Sequence, residues 1–345
     1  MTDSPILFTR AQLRETGLTD RQLDTRLANG SVVPVRRGVL QALSASVPDS
    51  ARAPTDGLPP IPDLEIPVSI RAALLASPDR DLVASHATAA QILGLPKPLA
   101  GWPQPHFTAT SGPTRHRSGV HIRVARLSLA EVGDHHGIAL TSPARTVADC
   151  LRTLPGRDGL AMIDAAFHRG LVRIDAVLEI LSSQARWPGT SRARQVLALA
   201  NSRRESPLES WSAWAFAHTG VPAPEWQAEI RDRDGVFIAR ADCWWSAGVV
   251  GEADGRSKYA LAAAERGGDA KAVFDVLQAE RRREQRLRDV GADVVRWSTG
   301  EVLKEPAARR LAQRIIGAIS LAQDGSRFTG VVAPTMLQLA TGPSD

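Results

Sequence analysis

The chain has 345 residues, 43% of them hydrophobic and 23% charged, with 42 Lys and Arg against 37 Asp and Glu. This length favours two or three domains of ordinary globular composition, and the mild positive charge does not by itself identify a partner. No apolar run reaches the roughly 20 residues of a membrane-spanning helix, and the N-terminus lacks the pattern of a secretory signal. We therefore expect a cytoplasmic protein with no membrane partner, in which Cys150 and Cys243 are buried thiols.

Residues 1–46 predict a helix, a turn, a second helix and a β-hairpin. Thr9 caps RAQLRET, Thr19 caps DRQLDTRLANG, and the apolar runs of SVVPVRRGVLQAL flank a turn at Gly38. This order is the layout of a winged helix-turn-helix, whose second helix enters the major groove of DNA. The residues predicted to contact DNA here are Arg21, Arg26, Arg36 and Arg37. The alternative is a small helical subdomain that carries a few surface arginines.

Residues 47–67 are rich in proline and predict a linker, and residues 68–200 predict a mixed middle region. A helix follows Ser85, GVHIRVARL alternates like a strand, and IALTSPARTVADCLRTL predicts a strand, a turn and a helix before three further helices. The histidines, including the pair His135 and His136, lack the spacing of a metal site, so we expect solvated or packed side chains. The residues of this region predict no catalytic or metal-binding chemistry.

Residues 201–322 predict a helix, a three-stranded meander, a long helix, a strand and a last helix, followed by a tail at 323–345. The first two strands are joined by Asp234 and Gly235, a strong hairpin signal, and the third strand ends in GEADG. We predict an α/β (α+β) chain whose C-terminal sheet is flanked by helices. Trp244, Trp245 and Trp297 are expected in its core.

Acidic residues follow the predicted strands of this region. Asp242 lies on the second strand, and Glu252 and Asp254 end the third strand on one face because they are two residues apart. These three acids are the predicted ligands of Mg²⁺ or Mn²⁺, and Lys258 is placed to position or activate water. Glu209, on the preceding helix, is placed to complete a second metal site or to orient a water. The alternative is a set of solvated acids at the end of a strand.

The long helix that follows is rich in arginine. The residues predicted to contact DNA phosphates are Arg281, Arg282 and Arg286. The alternative is a solvated helix face that Glu280 and Glu284 partly neutralise.

From about Glu205 to Val302 the chain resembles the PD-(D/E)xK nuclease superfamily, and within it the DUF559 branch, which is related to very-short-patch repair endonucleases. The matching positions, in order, are Glu209, Asp242, the segment 252–255, the arginine helix from Arg281 to Arg286, and the pair Arg296 and Trp297. The resemblance implies a restriction-endonuclease-like fold and a metal-dependent nuclease.

Two positions depart from the pattern of that superfamily. Asp254 stands where the superfamily usually has lysine, as is common in this branch, and Lys258 stands where the branch often has histidine. Either Lys258 takes over the role of the missing lysine, or the site is inactive.

The N-terminal segment FTRAQLRETGLTDRQLDTRLANGSVVPVRRGVL resembles the winged helix of AbiEi-family antitoxins of type IV toxin–antitoxin systems. SHATAAQILGLP and LTSPARTVADCL are similar to the portion that follows it in many members. Two hypotheses result. The chain is a Mg²⁺-dependent DNA endonuclease with a DNA-binding module, or it is an antitoxin and transcriptional regulator, with a cognate toxin as partner, whose nuclease fold is inactive.

Overall fold

The structure is a computed structural model that describes residues 6–15, 17–42, 67–76, 82–112, 114–117, 119–135, 137–254, 270–322 and 327–333. These residues form a mixed α/β protein with helices and three β-sheets. The chain divides into two compact units, Met1–Thr153 with Ile174–Gln184, and Leu154–Arg173 with Ala185–Asp345. The helices in the described ranges include none with both the length and the apolar character needed to cross a membrane.

The predicted five-part division of the chain stays a prediction. Apart from Pro67, the predicted linker at 47–67 lies outside the described residues, and the predicted tail at 323–345 is described only at 327–333.

The first unit begins with the predicted helix, turn, helix and hairpin, preceded by one further strand. Thr19 caps the second helix as expected, because its hydroxyl accepts from the Gln22 backbone N–H while the Gln22 side chain reaches back to Thr19. The three strands form an antiparallel sheet of order β1-β3-β2 over a core that includes Phe8, Leu23 and Leu40. The elements are β1 (Ile6–Thr9), α1 (Arg10–Glu15), α2 (Asp20–Ala28), β2 (Val32–Arg36) and β3 (Val39–Ala42).

The rest of the first unit is built on a six-stranded sheet of order β6-β7-β5-β4-β9-β8, in which β4–β9 and β5–β7 are parallel and the other pairs antiparallel. Its elements are α3 (Val68–Leu75), β4 (Leu82–Ala84), α4 (His86–Ile92), β5 (His106–Ala109), β6 (Arg115–Arg117), β7 (Val120–Val124), β8 (Val132–His135), β9 (Ile138–Thr141), α5 (Pro143–Thr153) and, from later in the chain, α7 (Ile174–Ser183). Phe107, Ile122 and Ile138 are at its core.

His86, the first residue of α4, has an unusual environment in this unit. Its φ is +54°, which few residues other than glycine adopt, and its side chain is buried with Nδ1 3.0 Å from the Ser85 hydroxyl. Ser85 stands at the predicted cap position, but its side chain makes no capping bond and instead accepts from the Thr108 hydroxyl. Burial lowers the pKa of His86 to about 3, so the ring is neutral in the folded protein.

Acidification is therefore expected to destabilise the first unit through His86. In the unfolded chain the imidazole protonates near its usual pKa of about 6.5, whereas the folded pKa is about 3. Between these values the unfolded state binds more protons, so stability is complete above the unfolded pKa and is lost as pH falls, by up to about 1.4 kcal/mol for each pH unit.

Pulse proteolysis in urea at about pH 7.5 and about pH 5.5, with mass spectrometry of fragments from residues 82–153, measures this effect. Asparagine tolerates positive φ, so His86→Asn should make the stability of the unit less sensitive to pH. His168→Asn, which changes an exposed ring in the second unit, is the control. An equal pH response in wild type and His86→Asn would refute the assignment.

The second unit places helices around a five-stranded sheet of order β13-β12-β11-β10-β14. β10, β11 and β12 form the predicted antiparallel meander, β13 adds to β12 in parallel, and β14 adds antiparallel to β10. The elements are α6 (Gly156–His168), α8 (Thr190–Leu197), α9 (Pro207–Thr219), β10 (Glu225–Arg231), β11 (Phe237–Trp245), β12 (Val249–Asp254), α10 (Ala270–Asp289), β13 (Asp293–Ser298), α11 (Thr299–Leu303), α12 (Glu305–Leu321) and β14 (Val331–Ala333).

Trp297 packs β13 and β12 against α9. Its indole N–H donates to Ser212 on α9 at 2.8 Å, and its ring covers Gly251, where an added Cβ would stand 2.6 Å from the ring. The three tryptophans predicted to lie in the core, Trp244, Trp245 and Trp297, are all buried, as are both cysteines. This packing fixes the strand segment that carries the next residue, Glu252.

Candidate functional site

Asp242 and Glu252 stand opposite each other on the adjacent strands β11 and β12. The ladder pairs Cys243 with Gly251, and extending that register by one residue sets Asp242 across from Glu252. Asp242 Oδ2 accepts the backbone N–H of Ala253 at 2.8 Å, which fixes this oxygen against β12. On the far side of β12, Arg296 of β13 is level with Glu252. The pairing of β11 with β12 therefore brings these two predicted carboxylates together.

Glu209 reaches the same site from the first turn of α9. Ser206 is the N-cap, and its hydroxyl accepts the Glu209 N–H and donates to Glu209 Oε1 at 2.6 Å, while the Glu205 N–H donates to Oε2. A carboxylate is favoured at a helix N-terminus because the unpaired N–H groups there carry partial positive charge. Glu209 is nevertheless buried, with 4% of its surface exposed.

Gln227 links Glu209 to the sheet and was not predicted from the sequence. Its amide Nε2 donates to Glu209 Oε2 at 2.7 Å, and its place in β10, between the pairs Trp226 with Cys243 and Ala228 with Ala241, is level with Asp242. Its φ of +56° is outside the usual range for a strand and costs of order 1–3 kcal/mol. Such strain, together with a buried bond to a carboxylate, is typical of a functional position.

The charge of Asp242 acts on both of the other carboxylates. Burial raises the pKa of Glu209, and the negative charge of Asp242 raises it further against the hydrogen bonds from Ser206 and Gln227. Burial also raises the pKa of Glu252, where the Arg283 guanidinium opposes the shift and Asp242 adds to it. Acids held close together at raised pKa values are frequent at catalytic and metal-binding sites, where a cation or a proton relieves the repulsion.

Glu252 has one paired oxygen and one unpaired oxygen. Oε2 accepts from Arg283 Nη2 at 3.2 Å, whereas Oε1 is buried and has no hydrogen-bond partner among the described residues. Arg283 lies on α10 and is itself held by Glu280, which also pairs with Arg296. A buried carboxylate oxygen without a donor is a candidate position for a cation.

Two predicted site residues stay predictions. Asp254 ends β12 and is half-buried, and Lys258 lies outside the described residues. In the part of the chain that the structure describes, no three His, Cys, Asp or Glu side chains are grouped so that they could hold a metal ion. The described protein ligands of a metal here would thus be the two carboxylates Asp242 and Glu252, which is a normal number for Mg²⁺ because it keeps several waters.

The predicted DNA-contacting arginines differ in exposure. Arg281, Arg282 and Arg286 are exposed on α10, and Arg286 donates to the Phe237 carbonyl at 2.8 Å. In the first unit, Arg21 and Arg37 are exposed on α2 and at the hairpin turn, whereas Arg26 and Arg36 are half-buried, and burial lowers the pKa of Arg36.

No family model matches the chain. Among curated proteins it is similar to uncharacterized protein MT2308 of Mycobacterium tuberculosis (strain CDC 1551 / Oshkosh) and uncharacterized protein Rv2248 of Mycobacterium tuberculosis (strain ATCC 25618 / H37Rv). The identity is 28% over 197 residues in each case. The alignment covers 57% of this chain and 66% of each relative, so the chain spans just under two thirds of their length. Neither description states an activity, so a functional conclusion depends on the geometry of the site.

Two residues of the site, Gln227 and Arg283, were missed by sequence reasoning. For Arg283 a signal was present, because it lies four residues before the buried Leu287 and seven before the buried Val290. Positions with this spacing share one face of a helix, so Arg283 belongs to the side of α10 that packs on the sheet. For Gln227 no local pattern indicates a left-handed backbone.

Proposed function

We propose that the second unit is a metal-dependent nuclease domain that hydrolyses DNA phosphodiester bonds, in a chain whose N-terminal elements form a DNA-binding winged helix-turn-helix. The observation that carries the proposal is the pairing of Asp242 with Glu252 across β11 and β12, with the buried Oε1 of Glu252 unpaired. The strand and helix order around it also agrees with the resemblance of residues 205–302 to nucleases of the restriction-endonuclease-like fold.

The residues present suit Mg²⁺ or Mn²⁺. Asp242 and Glu252 supply the hard oxygen ligands that these ions prefer, and the substrate phosphate and water complete such a site. The ion, when bound, acidifies water and stabilises charge on the phosphate. Asp242 and Glu252 would hold the ion, and Glu209, held by Ser206 and Gln227, adds a third negative charge beside them.

The exposed arginines provide for DNA binding. Hydrolysis joins a water oxygen to phosphorus and releases one ester oxygen, which takes up a proton as the water gives one up. The protein must therefore hold the DNA backbone so that the reacting phosphate is in line with the attacking water. Arg281 and Arg282 on α10 can contact flanking phosphates, and Arg21 and Arg37 can contact DNA at the N-terminal helix and hairpin.

The second candidate function is that of a transcriptional regulator and antitoxin of the AbiEi type, with a cognate toxin as partner. It is favoured by the contact of Arg283 with Glu252, since an arginine can neutralise that carboxylate where no metal does so. In this case the N-terminal elements would bind an operator, and the nuclease fold would serve as a scaffold.

A supercoiled plasmid assay separates the two functions. The wild-type protein is expected to nick or linearise DNA with Mg²⁺ or Mn²⁺ and to lose this activity with EDTA. A gel shift on the DNA upstream of its own coding sequence, with Arg21→Ala and Arg37→Ala and with Arg309→Ala as the control, measures operator binding. Absence of cleavage on several substrates together with tight, arginine-dependent binding upstream would establish the regulator and refute the nuclease.

A further inference from the structure

Arg283 is the basic side chain that the structure sets against a predicted metal-binding carboxylate. It lies on the sheet-facing side of α10, its side chain is 28% exposed, and its Nη2 is 3.2 Å from Glu252 Oε2. None of the ion pairs in the described part of the chain joins Glu252 to another arginine or lysine. The nearby arginines predicted to bind DNA, Arg281, Arg282 and Arg286, are exposed, and none of the ion pairs among the described residues joins them to Glu252.

The guanidinium of Arg283 is held in a fixed orientation. Glu280 accepts from Nε at 3.1 Å and from Nη2 at 2.8 Å, which is the bidentate geometry that an arginine and a carboxylate favour. Glu280 is in turn paired with Arg296, which stands level with Glu252 on β13. Nη1 has no hydrogen-bond partner among the described residues. One nitrogen of an oriented guanidinium is thus available to a ligand.

Phosphodiester hydrolysis needs positive charge beside the phosphate as negative charge builds on its nonbridging oxygens. In the nuclease superfamily that the chain resembles, a lysine stands two residues after the glutamate, but here that position is Asp254, which carries the wrong charge. Arg283 comes to Glu252 from a helix, and a guanidinium pairs with phosphate oxygens at least as well as an ammonium does.

We propose that Arg283 is a catalytic residue that donates through Nη1 to a nonbridging oxygen of the scissile phosphate and supplies the cation that Asp254 cannot. This assignment depends on the proposed nuclease function. Glu280 is then a positioning residue, because it holds two of the three guanidinium nitrogens and leaves the third directed to the substrate. The contact with Glu252 keeps Arg283 at the site when no DNA is bound.

The test compares Arg283→Gln and Arg283→Lys with the wild type and with Arg309→Gln, which alters an exposed arginine–glutamate pair on α12. Three quantities are measured: the single-turnover rate of plasmid cleavage with Mg²⁺, the affinity for a short duplex in Ca²⁺, and the affinity of the DNA-free protein for Mn²⁺ by electron paramagnetic resonance. The Mn²⁺ measurement is independent of catalysis and reports directly on the carboxylates.

We expect Arg283→Gln to lower the cleavage rate by at least about 100-fold, as loss of one charged donor to a transition state does, and Arg283→Lys to stay within about tenfold of wild type. Mn²⁺ should bind Arg283→Gln as tightly as wild type or more tightly, because a competing cation at Glu252 is gone. Arg309→Gln should match wild type in all three measurements.

If Arg283→Gln still cleaves DNA, or if the lysine and glutamine variants lose equal activity, the catalytic role of Arg283 is refuted. The proposed nuclease function is not refuted by these results. Weaker Mn²⁺ binding in Arg283→Gln would also refute the catalytic role, since Arg283 would then only support Glu252. If the wild type neither binds Mn²⁺ nor cuts DNA, the proposed nuclease function fails, and the assignment fails with it.

Discussion

Glu252→Gln is expected to slow Mg²⁺-dependent cleavage by at least about a thousand-fold, because the metal contributes several kcal/mol of charge stabilisation and each 1.4 kcal/mol is tenfold in rate. The same variant should be at least as stable as the wild type. Burial raises the pKa of Glu252, so its ionised form is disfavoured in the folded protein. The stabilisation that this group gives is present below its unfolded pKa and is lost as pH rises through the folded pKa. As pH rises through that range the charge on Glu252 therefore increasingly destabilises the wild type, and the amide does not.

Asp242→Asn should lose activity to a similar extent, because it removes the other ligand. Glu305→Gln, an exposed acid on α12, is the matched control and should retain both activity and stability. Single-turnover cleavage measures activity, and thermal unfolding with EDTA or Mg²⁺ measures stability. Mg²⁺ should raise the melting temperature of the wild type but not of either site variant, since a ligand stabilises the state that binds it.

Two results would contradict this prediction in different ways. Wild-type cleavage by Glu252→Gln would show that the metal is held elsewhere. A marked fall in the melting temperature of Glu252→Gln in EDTA would show that the carboxylate stabilises the fold through Arg283. Its burial predicts the opposite, namely that the charged carboxylate lowers stability.

The local features of the fold could be predicted from the sequence because short-range chemistry decides them. The Asp234–Gly235 turn, the Thr19 cap and the strand that ends in Glu252 and Asp254 all appear where their residue patterns place them. The elements that were missed are short or lack a distinct pattern, such as β4 with three residues and β14 with three. Sheet order in the first unit, where β5 lies between β4 and β7, depends on long-range contacts that no local pattern encodes.

The site shows the same division between local and long-range information. Asp242 and Glu252 could be predicted as neighbours because an antiparallel meander puts consecutive strands side by side. Gln227 could not, since its role arises from a left-handed backbone and from a bond to Glu209, 18 residues away. Arg283 could be separated from its neighbouring arginines by its spacing from Leu287 and Val290, but its contact with Glu252 depends on long-range packing.

Asp149→Ala is expected to destabilise the first unit by about 3–5 kcal/mol, a large part of the 5–15 kcal/mol that holds a domain folded. Asp149 is fully buried on α5 and accepts from Arg145 at 2.9 Å, from Arg152 at 2.6 Å and from Gln184 at 3.4 Å. Burial by itself would raise the pKa of Asp149, but the charges of Arg145 and Arg152 hold it below its usual value, so the group is ionised. Its removal leaves buried positive charge without that compensation.

Urea unfolding followed by circular dichroism, with proteolysis mapped to residues 82–184, measures the loss. Glu305→Ala breaks an exposed ion pair with Arg309 and should change stability by less than about 1 kcal/mol, because solvent screens such pairs. A loss as small as this in Asp149→Ala would refute the prediction.

The cost should depend on the charge that remains and not on the cavity left by one carboxylate. Arg145 also pairs with Glu131 at 2.6 Å, and Arg152 lies 2.6 Å from Asp149. Adding Arg152→Met to Asp149→Ala removes that buried charge and replaces it with an apolar side chain of similar length. We therefore expect the double variant to be more stable than Asp149→Ala alone, with a coupling within the range of about 0.5–3 kcal/mol seen for neighbouring residues. If instead the two losses simply add, the defect in Asp149→Ala comes from lost packing and not from unbalanced charge.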